Sequence, residues 1–227
     1  MSEDLEMIEK KIGLTFDNKD FLKLAFTHRS YLNENKRIKE HNERLEFLGD
    51  AVLELAVTEH LYKNYKNPEG ELTNWRSALV KTETISETAK ELGYEEHLKL
   101  SKGESKSTGR ARQLILANTF EAVVGAIYLD QGFEVARKFI EEKLIVKLPK
   151  ILETKAYIDA KSSFQELAQE KEGITPVYKV LSEEGPDHEK IFTMGVYLEE
   201  KQIGKGTGPS KQSAEQAAAG DALGKWK

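Results

Sequence analysis

The repeat of apolar residues along the chain changes once, near residue 150, so the chain cannot be built around one kind of element throughout. From Leu5 to about Leu148, apolar residues recur at spacings of three and four, as in Phe21 to Phe26, Leu45 to Leu61 and Leu114 to Ile127. That is the repeat of a helix with one buried face. Nothing in this part alternates like a strand. Breaks fall at Asn67-Pro68-Glu69-Gly70, at Gly93 and across Ser101 to Arg112, where glycines and serines mark an exposed loop. Beyond Pro149, Val177 to Leu181 and Phe192 to Leu198 follow the two-residue period of strands, and Lys201 to Gly204 begins another. A helix over 159 to 171 precedes them. An alanine-rich helix over Ser210 to Lys225 follows, after Gly204, Gly206, Gly208 and Pro209. The spacing predicts a multidomain chain: an all-α domain over 1 to 148, a linker over 149 to 158, and an α+β domain of order α-β-β-β-α over 159 to 227. A length of 227 residues suits two separate cores.

Composition removes several classes. The chain is 39% apolar and 32% charged, as ordinary globular proteins are. No apolar run approaches the roughly 18 residues of a membrane helix, and the start of the chain is acidic, which predicts a cytoplasmic protein without a membrane partner. The absence of cysteine excludes disulfides, thiolate metal sites and a cysteine nucleophile. Net charge is −5, opposite in sign to most nucleic-acid binders. Residues 159 to 227 hold nine Lys/Arg against twelve Asp/Glu. Any phosphate contact there must come from a local arrangement of lysines.

The stretch richest in chemistry is His41-Asn42-Glu43-Arg44-Leu45-Glu46-Phe47-Leu48-Gly49-Asp50. Glu46 and Asp50 are four apart and share a helix face. Leu45, Phe47, Leu48, Val52 and Leu53 crowd around them, which predicts a buried like-charge pair that needs compensation. A hard divalent cation supplies it; a solvated surface pair is the other reading. The pattern returns in Leu116-Ala117-Asn118-Thr119-Phe120-Glu121, where Asn118 and Glu121 are three apart on a nearly all-apolar helix. If the two helices pack together, Glu46, Asp50, Asn118 and Glu121 converge on one ion. The five histidines offer little, since none is followed by the aspartate that a helical metal phosphohydrolase would need; His28 and His41 read as helix-end or packing residues.

Asn42 to Asp50, NERLEFLGD, is the signature of the ribonuclease III family, and the chain resembles that family along essentially its whole length. Supporting segments are Leu24 to Tyr31, Glu69-Gly70-Glu71-Leu72-Thr73 and Tyr128 to Gly132. The resemblance implies an endonuclease for double-stranded RNA with a metal-activated water attacking in line, leaving staggered ends with 5′-phosphate and 3′-hydroxyl groups, and roles in rRNA and mRNA processing. It implies Mg2+ as cofactor, with Mn2+ as a substitute, and places Glu46, Asp50 and Glu121 at metal-site positions. Glu43 and Glu69 fall on outer acidic positions; surface charges on a helix and a loop are the alternative. The family usually has aspartate at Asn118, whose amide oxygen can coordinate but carries no charge, so reduced activity is expected. A non-cleaving RNA-binding protein is the competing outcome. A homodimer is implied as well, with Phe47 and Leu48 as candidate interface groups.

Residues 159 to 227 resemble a double-stranded-RNA-binding domain, through Asp159 to Glu166, Pro176-Val177-Tyr178, Gly185-Pro186-Asp187-His188 and Gly208 to Ala218. Such modules read A-form shape over roughly 16 base pairs. The resemblance assigns Ser162, Gln165 and Glu166 to one minor groove and His188 to the next, with Lys205, Lys211 and the start of the last helix on phosphate. Gln212 stands where a second lysine is common, which predicts weaker binding. Phe164, Tyr178, Phe192 and Tyr197 are expected in the core.

Overall fold

The computed structural model describes residues 2–154, 159–186 and 190–226. Its contacts divide the chain between residues 157 and 158 into two units, each with its own apolar core.

In the first unit the helical repeat forms α1 (Ser2–Ile12), α2 (Lys19–Ala25), α3 (Glu43–Asn64), α4 (Glu69–Val80), α5 (Thr82–Glu91), α6 (Gly109–Gln131), α7 (Phe133–Lys143) and α8 (Leu148–Glu153). From Ile115 to Ile127, α6 is buried at every position except Asn118 and Glu121, the pattern of a helix enclosed by others. It packs against α2, α3, α5 and α7. Leu53, Ala56, Val57 and Leu61 of α3 share its core with Phe120, Val123, Val124 and Ile127. Phe26 meets Tyr94 edge-to-face at 5.0 Å between ring centroids. The chain leaves α5 through Gly93, at φ +68°, a left-handed turn that glycine takes without strain. The break at 67–70 is shorter than its sequence suggests, because Glu69 and Gly70 already belong to α4.

The stretch expected as a linker also starts differently. Pro149 sits at the first turn of α8, where its missing N–H has no helical partner to lose and its fixed φ suits the helix. Ile151 and Leu152 pack against the first core, so residues through 153 continue the helical body.

The second unit has α9 (Ala160–Glu172), β1 (Val177–Glu184), β2 (Ile191–Leu198), β3 (Lys201–Gly208) and α10 (Lys211–Lys225). The antiparallel sheet has order β1-β2-β3, with Val196 opposite both Tyr178 and Gly204. Met194, Val196 and Leu198 meet Phe164 and Ala168 of α9 and Ala214, Ala218, Ala219 and Ala222 of α10. The strand expected to begin at Lys201 to Gly204 extends to Gly208, so Gly206 and Gly208, which precede the last helix, lie with Gly204 within β3. Their two-residue spacing puts them on one strand face, against which α10 rests. A Cβ at Gly206 would overlap the Ala218 backbone nitrogen, and one at Gly204 the Ala218 carbonyl oxygen. Phe164 is fully buried, and Tyr178 and Phe192 pack partly against the core. Tyr197 departs from expectation: its half-buried ring lies beneath the Lys179 ammonium, 4.9 Å from the centroid.

Candidate functional site

The signature segment divides its labour residue by residue. Asn42 is buried; its side-chain amide donates to the Ala25 carbonyl at 3.2 Å and its backbone N–H to Thr27 at 2.9 Å. Those bonds anchor the start of α3. Leu45 enters the core, while Phe47 points outward and is 81% exposed. Gly49 lies where α3 and α6 cross. A Cβ there would overlap the Glu121 backbone oxygen, and a Cβ at Gly125 that of Leu45. The two backbones approach this closely only because neither residue has a side chain, and the approach places Glu46 and Asp50 within the field of Glu121. Small residues inside helices carry no chemistry of their own, so nothing in the sequence marked Gly125.

Burial and neighbouring charge set the electrostatics. Glu121 is half-buried, and its carboxyl is pushed up to about 8, first by burial and then by Asp50 and Glu46. Burial also raises Glu46, with further repulsion from Glu43 and Asp50; a hydrogen bond from the Asn118 side chain opposes the rise. The expected buried pair on α3 needs correcting. Asp50 is exposed and Glu46 half-buried, because the crossing turns Leu45, Gly49, Val52 and Leu53 inward and leaves Asp50 at the rim. The more buried carboxylate belongs to α6.

Among the described residues, no three acidic or histidine side chains stand close enough to hold an ion as placed. The donor set fits a hard divalent cation all the same: three carboxylates and an amide oxygen, with a repulsion that a cation would relieve. Glu43 is at the edge of the cluster, with its Oε1 3.3 Å from Arg29. Glu69 is not drawn into it. As the first residue of α4 it is exposed, accepts a hydrogen bond from Thr73 at 2.9 Å, and lines a groove with Tyr62, Tyr65 and Arg76. His28 caps the short turn Arg29–Asn33, its Nδ1 2.8 Å from the Ser30 hydroxyl.

In the second unit, Ser162, Gln165 and Glu166 line a shallow groove along exposed α9, extended by Gln169 and Glu170. The last pair follows from the same helical spacing. The Asp159 carboxylate accepts from the backbone N–H groups of Lys161 and Ser162, both at 3.1 Å, and from Gln216 at 2.7 Å, tying the start of α9 to α10. These bonds hold its carboxyl below the ordinary aspartate range, with Gln216 the largest cause. Ser210 caps α10 by accepting from Ser213 N–H at 3.1 Å. Lys205, Lys211 and Gln212 are exposed. The Lys205 backbone N–H donates to Asp221 at 2.9 Å, and the Lys211 ammonium lies 3.2 Å from Glu183. His188 falls outside the described residues.

A helical body with clustered carboxylates at one helix crossing, joined to an α-β-β-β-α module, is the composition of an endoribonuclease that cuts double-stranded RNA. Residues 18–148 match the family model described as ribonuclease-III-like, and residues 160–225 match the double-stranded RNA binding motif. The chain is 44% identical to "Ribonuclease 3" of Protochlamydia amoebophila across 95% of its own length and 89% of that protein's. It is 45% identical to "Ribonuclease 3" of Oceanobacillus iheyensis across 97% of each. Among solved structures, a Campylobacter jejuni ribonuclease III nuclease domain, described for flexibility in a region involved in dimer formation, aligns with a TM-score of 0.55 and 37% identity, covering 61% of this chain and 97% of that one. The chain belongs to the ribonuclease III family and is an endoribonuclease acting on double-stranded RNA. None of its described helices is long and apolar enough to cross a membrane.

Proposed function

We propose that Glu46, Asp50 and Glu121 hold a divalent cation, Mg2+ in the cell and Mn2+ as a substitute, and that phosphodiester hydrolysis proceeds at that site. The observation that carries this reading is the Glu121 carboxyl, pushed up to about 8 by burial, Asp50 and Glu46. Glu121 and Glu46 are both raised, with Asp50 adding repulsion from the rim; left uncompensated this is destabilising, so the arrangement is most economical as a cation site. When bound, the cation supplies a nucleophile at neutral pH and stabilises charge on the phosphate. Asp50, at the exposed rim, meets the incoming backbone first. Asn118 steadies the Glu46 carboxylate by donating to it, and its amide oxygen remains available to the ion. Glu43 and Glu69 serve as outer acidic groups, Glu43 nearer the cluster. The products carry 5′-phosphate and 3′-hydroxyl staggered ends, and the substrates include rRNA and mRNA precursors in the cytoplasm.

The module from about residue 159 onward positions the duplex. Ser162, Gln165 and Glu166 address ribose hydroxyls in one minor groove, with Gln169 extending their face, and His188 addresses the next. Lys205, Lys211 and Gln212 contact the phosphates between them. The chain acts as a homodimer, since a duplex has two strands to cut and an isologous pair presents one site to each. Exposed Phe47, Leu55 and Tyr62, about two turns apart along α3, support a partner there; Leu48, packed against its own core, is set aside. The test is incubation of a long RNA duplex with Mg2+, with product ends identified. Staggered ends bearing 5′-phosphate are expected; ends bearing 3′-phosphate would refute water attack assisted by this site.

A further inference from the structure

We propose that Glu183 sets how tightly this enzyme binds duplex RNA, by competing with RNA phosphate for the ammonium of Lys211. The inference rests on the reading of Lys211 as a phosphate contact. Lys211 opens α10, and its Nζ lies 3.2 Å from Glu183 Oε1 while the ammonium sits over the Phe192 ring, 5.6 Å from the centroid. Glu183 on β1 and Phe192 on β2 are directly paired across the sheet. Carboxylate and ring therefore share one face of the sheet, and both meet the ammonium. The other Glu183 oxygen is 3.8 Å from Lys190, so one carboxylate offsets charge on two lysines.

Two other lysine pairs among the described residues of this unit differ in kind. Lys161 lies 2.6 Å from Glu215, whose side chain is only 22% exposed, and ties α9 to α10. Lys225 and Asp221 are a single helical turn apart on α10. Those pairs serve the fold. The Lys211 and Glu183 side chains are 57% and 37% exposed, open to an incoming phosphate, and Lys211 is the first residue of α10. A phosphate there must either displace the Glu183 carboxylate from Lys211 or bind next to a like charge. With nine Lys/Arg against twelve Asp/Glu in residues 159–227, no surplus of positive charge masks that competition.

A shape-preserving substitution tests it in the full-length chain, with EDTA preventing cleavage and a blunt RNA duplex longer than the roughly 16 base pairs that such a module spans. Lys211→Ala should weaken binding. Glu183→Gln should tighten it about two- to five-fold, the size of an exposed ion pair, and the gain should vanish in the Glu183→Gln, Lys211→Ala double variant. With Mg2+ present, Glu183→Gln should lower KM by a similar factor and leave kcat unchanged. If Lys211→Ala weakens binding but Glu183→Gln leaves it unchanged or weaker, the carboxylate is neutral or a support for Lys211, and the proposal is overturned. Tightening that survives Lys211→Ala overturns it too, by assigning the effect to overall charge. Unchanged binding by Lys211→Ala removes Lys211 from the RNA surface and the proposal with it.

Discussion

At the scale of single residues, Glu121 concentrates the cost of the site. Its carboxyl is pushed from 4.5 up to about 8 by burial, Asp50 and Glu46. A raised acid pKa means that the folded state prefers the proton. The group's contribution is intact below its unfolded value and is lost as pH rises through the folded one. Without metal, Glu121→Gln should therefore unfold at a higher temperature than the parent above pH ~8, by a few degrees, with the gap closing toward pH ~4.5. A gap that is flat with pH would contradict the assigned electrostatics. Asn118→Asp should remove the donor to Glu46 and add a charged ligand. It is expected to lower the Mg2+ concentration for half-maximal cleavage by about 10- to 100-fold, the usual scale of changes around a metal centre, with duplex binding unchanged. Unaltered Mg2+ dependence would remove Asn118 from the site. The spacing of Glu46 and Asp50 made their shared face legible in sequence. Their unequal burial was not, because it depends on how α3 is rotated against α6.

At the scale of elements, glycines decide how closely helices and strands approach. A Cβ at Gly125 would meet the Leu45 backbone oxygen, which cannot rotate away as a side chain could. Gly125→Ala should force α3 and α6 apart at a cost of about 1–3 kcal/mol and raise the Mg2+ requirement, read by thermal unfolding and by metal titration. Among the described residues, a Cβ at Gly220 of α10 would have only the Ala160 Cβ nearby, at 3.9 Å. Gly220→Ala should stabilise the protein by about 0.5–1 kcal/mol through helix propensity; destabilisation would show that this position of α10 has no room for a methyl group. Helix and strand periods were readable where an element buries one face, as α7 does with Ala136, Phe139 and Ile140. The end of β3 at Gly206 and Gly208 was not readable for the converse reason: residues without side chains show no alternation, although with Gly204 they form the strand face on which α10 lies. Pro149 misled, since a proline that ends one helix is equally suited to the first turn of the next.

At the scale of the molecule, two cores imply two separable tasks. A fragment ending near Tyr157 should keep the carboxylate cluster and cut duplex RNA at low salt, yet lose activity steeply as salt rises, because the phosphate contacts of the second unit are gone. A folded fragment inactive at every salt concentration would contradict that division. Phe47→Ala should shift the full chain toward monomer at micromolar concentration in sedimentation, if its exposed ring is buried by a partner; an unchanged dimer would place the interface elsewhere. The order of domains was legible from the single change of period, while the cluster at the α3–α6 crossing needed three dimensions, since its members are about 70 residues apart in the chain. That cluster is the centre of the account, and Glu121→Gln tests it most directly by comparing binding and cutting of one long RNA duplex. The variant should bind the duplex in EDTA as tightly as the parent and cleave it in Mg2+ at least about 100-fold more slowly, since even outer changes at metal sites reach that size. Cleavage at the parental rate would contradict the assignment of hydrolysis to the α3–α6 carboxylates.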